Sequence, residues 1–291
     1  MRRALVSAAL AASAVASVLV ATSSLAQSQE AVRDAAFTPP RTPWGDPDLQ
    51  GIWTNASLTN LQRSSRYPDL VISEDEIAKV TAEHPQNVRQ ATVDNLQPGE
   101  ILDGSDLGMG RGYNAFWIDP GTTFGLVKGE YRSSWVVEPE DGRIPYSEQG
   151  RKLMGEFRSR FGSNDGPEGR SLGERCLIGF GGTGGPVMNN VLYNNHYQIV
   201  QTPGYVMIMV EMNQDARIIP INGEHRPDEI KQWLGSSIGW WEGDTLVVET
   251  KNLHPQQASR GPVALSGEGR VIERFTRWSD SQIQYEFEVE D

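Results

Sequence analysis

Cysteine is nearly missing from this sequence. Cys176 stands alone among 291 residues, which excludes an internal disulfide and any paired-thiolate metal site. Histidine is scarce too. The four histidines, His84, His196, His225 and His254, show no His-x-x-x-His spacing, so no metal ligand set is indicated and no cofactor is expected. Basic residues are outnumbered: 26 Lys and Arg face 38 Asp and Glu, a net charge of −12. That balance opposes nucleic-acid binding, which needs a basic surface, and docking on an anionic membrane face. Beyond Ala21 no apolar run is long enough to span a bilayer.

The one long apolar run, Ala4 to Ala21, follows Arg2 and Arg3 and precedes the small-residue end Ser24-Leu25-Ala26. This pattern predicts a secretory signal over residues 1–26, cleaved after Ala26, and hence a soluble periplasmic or secreted product. Cleavage removes two arginines and leaves 24 basic against 38 acidic side chains, a net charge of −14. Residues 27–43, with Pro39, Pro40 and Pro43, read as an extended N-terminal segment. Residues 44–291 read as a single β-rich domain, truncated at its C-terminus. The strand pattern from Gln282 to Asp291 stops without turn, cap or tail.

Strand patterns dominate that domain. Trp44 to Trp53 leads into a first strand, and further strand patterns occur at Tyr113–Trp117, Phe124–Val127 and Tyr131–Glu138. Ser73 and Glu76 match a capping box for a short helix over Glu74–Ala82, which His84-Pro85 should end. Residues Gln86–Gly112 read as a long loop, Ser147–Phe161 as a second helix, and Pro227–Leu234 as a third. From Tyr193 onward, strands alternate with turn chemistry: Thr202-Pro203-Gly204, Gly243-Asp244 and Ser279-Asp280-Ser281. Short turns between successive strands imply an antiparallel meander. The expected fold is therefore all-β, a lipocalin-like sandwich or barrel with two or three short helices and long loops.

Two textual motifs fail on context. Gly179-Phe180-Gly181-Gly182-Thr183-Gly184 has dinucleotide-fingerprint spacing, but Pro186-Val187-Met188-Asn189-Asn190 follows where a helix should start. Gly235-Ser236-Ser237-Ile238-Gly239 spells a nucleophile elbow in the wrong order, helix before strand, so Ser237 is rejected as a nucleophile. Gly51-Ile52-Trp53 matches the Gly-x-Trp start of lipocalins, a three-residue analogy of fold only.

Ionisable residues among apolar strands carry the functional argument. Alternation puts Tyr205, Met207, Met209 and Glu211 on one face of a strand and Val206, Ile208, Val210 and Met212 on the other. Both faces are apolar until Glu211, so this strand is expected to be buried on both sides. Asp215 and Arg217 begin the return strand, where Glu211 and Arg217 are placed to meet across the hairpin. Such residues make either a structural ion-pair network or an acid–base set, with Glu211 or Asp215 as base and Arg217 holding an anionic or carbonyl group. Tyr193, Asn195, His196, Tyr205, Trp233 and Trp241 are the candidate ligand-binding residues, fit for an apolar or aromatic ligand.

Several segments together resemble a family of exported bacterial β-rich proteins to which no activity is tied. They are Trp44-Gly45-Asp46-Pro47-Asp48-Leu49-Gln50-Gly51-Ile52-Trp53, Gly142-Arg143-Ile144-Pro145-Tyr146, Tyr193-Asn194-Asn195, Tyr197 to Val206, Asp215 to Pro220, Gln232-Trp233-Leu234-Gly235, Trp241 to Thr250 and Glu273-Arg274-Phe275-Thr276-Arg277. The resemblance spans most of the chain after the signal. It implies a further C-terminal segment with a Cys-His-Glu-Gly-Asn run, which would hold a disulfide partner for Cys176. It also implies Asn as the more usual residue at His196, which lowers that histidine as a catalytic candidate. Two functions stay open: a module binding a small apolar or aromatic ligand in a β-barrel or sandwich cavity, or a periplasmic hydrolase, lyase or isomerase using Glu211, Asp215 and Arg217. The expected partner is a small molecule, and the sequence leaves the oligomeric state open.

Overall fold

The computed structural model describes residues 37–94, 118–160, 166–179, 183–256 and 263–291. The expected signal and the strand expected at Tyr113–Trp117 lie outside them. The chain is mostly β, in three antiparallel sheets with few short helices. The first sheet joins β1 (Gly51–Thr54), β5 (His196–Thr202), β6 (Tyr205–Val210) and β7 (Ala216–Pro220), in the order β1-β5-β6-β7. The second joins β8 (Ser236–Glu242), β9 (Thr245–Lys251), β10 (Arg270–Arg277) and β11 (Ile283–Glu290), in the order β11-β10-β9-β8. A small third sheet orders β2 (Val71–Ile72), β4 (Glu130–Arg132) and β3 (Leu126–Val127) as β2-β4-β3.

Period-two alternation builds the core. Tyr197 and Ile199 of β5, Val206, Ile208 and Val210 of β6, and Ile219 of β7 all point inward. They pack against Leu246 and Val248 of β9 and Phe275 of β10, with Leu49 closing one end. The sheets touch along a seam where Ile221 bridges Gly239 and the Asn222 amide donates to the Gly239 carbonyl at 2.7 Å. Packing is tight there: a Cβ on Gly239 would lie 3.0 Å from Ile219 Cγ2 and 3.2 Å from Ile221 Cδ1, so a side chain at this position would have to push those methyls aside. At the far side Arg277 lies over the Trp53 ring at 4.8 Å and donates to the Asp48 carbonyl at 3.1 Å, but no strand pairing joins β1 to β11. The result is an open sandwich and not the closed, lipocalin-like barrel held open by the sequence.

Several local expectations hold. Helix α1 occupies Glu74–Ala82 and packs Ile77 and Val80 on a satellite core of Leu58, Tyr67, Ile72 and Phe124. Ser73 stands at the N-cap, but the expected capping box does not close: its Oγ meets Glu76 Oε2 at 2.8 Å and caps no backbone amide. Other expectations are corrected. Helix α2, Pro85–Asp94, follows at once where a loop was expected, because proline is well accommodated in a first helical turn. Helix α3 spans Glu148–Arg160, as the second helical pattern indicates. The strand expected over Tyr131–Glu138 is only β4. The third expected helix is absent: Gln232 pairs with Leu253 instead, its amide donating to Asn252 O at 3.0 Å and its carbonyl accepting from the His254 amide at 2.8 Å. Strand β6 is buried on one face only, leaving Tyr205 53% exposed. Among the described residues, no helix is long and apolar enough to cross a membrane.

Candidate functional site

Alternation along β7 sends Arg217 inward with Ile219, and alternation along β10 sends Glu273 inward between Val271 and Phe275. The two side chains meet at the centre of the sandwich with 2% and 0% of their surface exposed. Arg217 Nη1 and Nη2 donate to Glu273 Oε2 and Oε1, the second at 3.0 Å. This is the bidentate fork geometry of the strongest charge-assisted hydrogen bonds. Burial works against the Arg217 charge, but the adjoining Glu273 carboxylate overrides it and raises the Arg217 pKa.

Two phenols complete the centre. Tyr285 of β11 donates to Glu273 Oε1 at 2.7 Å and accepts the Met188 amide at 3.1 Å. Burial, reinforced by the Glu273 charge, pushes the Tyr285 hydroxyl well above its ordinary range. Tyr197 of β5 donates to the Thr183 carbonyl at 3.0 Å and accepts from Asn55 Nδ2 at 3.2 Å. Its pKa is also raised, first by burial. Two buried polar atoms at this centre have no hydrogen-bond partner among the described residues, the donor Arg217 Nε and the acceptor Asn55 Oδ1.

A loop lies across the pair. Gly185 has φ +74°, and a Cβ there would sit 3.2 Å from both Cζ and Nη2 of Arg217. Only glycine lets the backbone approach the guanidinium this closely in that conformation. Asp215 secures the neighbouring turns: its Oδ2 accepts the Gly179 amide at 2.6 Å, and a Cβ on Gly184 would lie 3.2 Å from its Cβ. Gly179 and Gly184 of the false dinucleotide fingerprint thus serve close approach to Asp215, and Gly185, just past it, to Arg217. Further along, Asn190 Nδ2 donates to Ser57 O at 2.8 Å, and Asn195 exchanges hydrogen bonds with Val191 N and O at 2.8 and 2.9 Å.

The residues expected from sequence separate into different surroundings. Asp215 and Arg217 both flank the Gly184-Gly185 turn. Glu211 does not join them, and the expected Glu211–Arg217 contact is not formed. It pairs with His196 Nδ1 at 2.8 Å on the surface, where the side chains are 46% and 57% exposed. The acid–base set of Glu211, Asp215 and Arg217 is therefore not assembled. His196 sits opposite Glu211 because β5 and β6 pair Tyr197 with Val210, which brings the next positions together. Asn195 is buried as a loop clamp, and Tyr193 packs against the main core. Tyr205 faces outward. Trp233 stacks on His254 at 4.0 Å, and Trp241 packs on the core with its buried Nε1 unpartnered among the described residues.

Glu273, Tyr285, Tyr197 and Asn55 were missed as site residues. The signal for Glu273 was present: Val271, Glu273 and Phe275 share one face, so a carboxylate interrupts an inward apolar row. A second polar chain runs across the other sheet, where His225 Nε2 meets Glu249 Oε1 at 2.8 Å. Glu249 Oε2 accepts from Arg270 Nε at 2.6 Å, and Arg270 Nη1 donates to Glu290 at 2.9 Å. Among the described residues, no group of three or more His, Cys, Asp or Glu is placed to hold a metal ion. The fold and this centre define an open antiparallel β-sandwich with an ion pair and two phenols sealed in its core. Compared with known proteins, the chain matches no family model, no curated protein and no solved structure.

Proposed function

We propose that this chain is an exported binding module whose ligand is a small, neutral, aromatic or apolar molecule carrying a carbonyl-type acceptor. The ligand docks beside Arg217, under the loop that begins at Thr183. The observation that supports this reading is the buried Arg217 Nε–H, which has no acceptor among the described residues. A desolvated, unpaired donor costs about 1–3 kcal/mol, and a ligand acceptor recovers that amount. Asn55 Oδ1, buried and unpartnered near the same phenol, provides an acceptor for a ligand donor. Charge decides the ligand class. Arg217 is already neutralised by Glu273, so a ligand carboxylate would meet the Glu273 charge in a dry interior, whereas a neutral carbonyl meets only the donor. Aromatic rings are the natural neighbours for Tyr197, Tyr285 and Phe275.

The acid–base alternative has less support, because Glu211 is engaged by His196 at the surface and Asp215 by the Gly179 amide. A thermal-shift comparison tests the reading. Aromatic amides and ketones are expected to raise the melting temperature more than their matched carboxylates, since a ligand bound only by the native state stabilises it. Equal shifts for the two series, or none, would count against it.

A further inference from the structure

Two serines stand side by side at the start of β8, and strand alternation parts them. Ser237 turns inward and shares a 2.7 Å hydrogen bond with the buried Thr250. Ser236 faces the other way, toward the outer side of the second sheet and the 225–226 segment packed there. Gly235 makes the turn before it: its φ is +73°, and a Cβ would lie 2.8 Å from the Lys251 carbonyl oxygen.

His225 lies between Ser236 and Glu249. Its Nδ1 is 3.4 Å from Ser236 Oγ, and its Nε2 is 2.8 Å from Glu249 Oε1. Arg270 Nε holds the other carboxylate oxygen at 2.6 Å. An ionised carboxylate only accepts, so Nε2 carries the ring proton and Nδ1 presents its lone pair to the serine. The Ser236 hydroxyl therefore donates to Nδ1, while its oxygen accepts the Arg226 amide at 3.1 Å. Hydroxyl, imidazole and carboxylate in series activate a weak nucleophile, and this constellation is recognised by geometry and roles, not by chain order. A serine that only secured the Arg226 amide would need no histidine held in one tautomer.

We propose that Ser236, His225 and Glu249 form a nucleophilic site that hydrolyses phenyl esters of small acyl groups. It lies on the outer face of the second sheet and shares no residue with the buried Arg217 centre. Ser236 is 6% exposed and the His225 side chain 10%, which limits the acyl group to a small one. The long contact from Oγ to Nδ1 makes a modest base, which suits esters with a good leaving group and not amides. In the first step Oγ bonds to the carbonyl carbon and its proton passes to Nδ1. The ester C–O bond then breaks, and the departing oxygen takes that proton and leaves as a phenol. Water attacks the acyl-serine and gives a proton to Nδ1; the C–Oγ bond breaks, Oγ recovers the proton and the acid departs. Lys251, directly opposite Ser236 in the β8–β9 ladder, puts a positive charge on the same face for the developing oxyanion. Glu249 acts through His225 and is a positioning residue.

Diisopropyl fluorophosphate, incubated with the full chain and followed by peptide mass mapping, tests this on the unsubstituted protein. The expected adduct is on Ser236. 4-Nitrophenyl acetate should be hydrolysed, and Ser236→Ala or His225→Gln should slow that reaction by at least about a thousandfold. Ser237→Ala should leave the rate unchanged, and Glu249→Gln should lower kcat with little change in KM. Absence of an adduct, an adduct confined to other residues, or hydrolysis that survives Ser236→Ala would each overturn the proposal.

Discussion

Arg217 and Glu273 lie 56 positions apart in the chain and meet as a fully buried bidentate pair that ties β7 to β10 across the sandwich. Their removal from water is costly, so the pair is tolerated only because fork geometry and the Tyr285 hydroxyl satisfy the carboxylate. Breaking one half should therefore hurt far more than replacing both. Arg217→Met or Glu273→Met alone should lower unfolding free energy by about 3–5 kcal/mol, and the double substitution should recover most of that loss. Urea denaturation of the three variants measures it. Additive losses would show that the two side chains are not coupled.

The loop over the pair depends on a glycine. At Gly185, alanine meets both a left-handed φ and the guanidinium face. Gly185→Ala should cost about 1–3 kcal/mol and weaken protection of the Met188 amide against hydrogen exchange. Gly204→Ala, at a similar φ of +83° with open space around it, should cost less and leave Met188 protection intact. Similar effects at both sites would mean that contact with Arg217 is unimportant.

The phenols give a base-side signature. Tyr197 is held protonated in the fold, while an unfolded tyrosine ionises near pH 10. Its contribution to stability is fully present below about pH 10 and is lost as pH rises toward the folded value, because only the unfolded chain releases the proton. The slope is about 1.4 kcal/mol per pH unit for such a group. Tyr197→Phe should flatten the decline in stability above about pH 10. A tyrosinate absorbance titration should show Tyr197 ionising only with unfolding.

The sign reverses at Glu249. Burial alone would raise its pKa, but hydrogen bonds from His225 and Arg270 prevail and hold it below the usual carboxylate range. Its stabilisation is present above the unfolded value and disappears as pH falls through the lower, folded one. Glu249→Gln should therefore reduce stability at neutral pH and make stability less dependent on pH across the acid range, as followed by denaturation at stepped pH. An unchanged acid profile would remove Glu249 from the account.

Local chemistry made much of the fold legible. Turns at Thr202-Pro203-Gly204 and Gly243-Asp244, with alternation on either side, fix the hairpins, and Ser73 with Glu76 marks α1. The third helix failed because Gln232 finds a better partner in the distant 252–254 segment, a tertiary choice that a local window cannot contain. The site was half legible. Arg217 stood out as a charge in an apolar strand, but its partner was sought in the same hairpin, at Glu211. The true partner lies on another sheet, and only folding supplies that proximity. Glu211 and His196 turn outward because alternation sends their neighbours Val210 and Tyr197 into the core.

The most direct test is the side-chain Nε–H resonance of Arg217, assigned by its loss in Arg217→Lys and followed while a neutral aromatic amide is titrated in. A saturable shift of this resonance, reduced in Asn55→Leu and retained in Glu211→Gln, is the expected result. A resonance that stays fixed while the amide binds elsewhere, or moves equally with a matched carboxylate, would contradict a binding site at the buried centre.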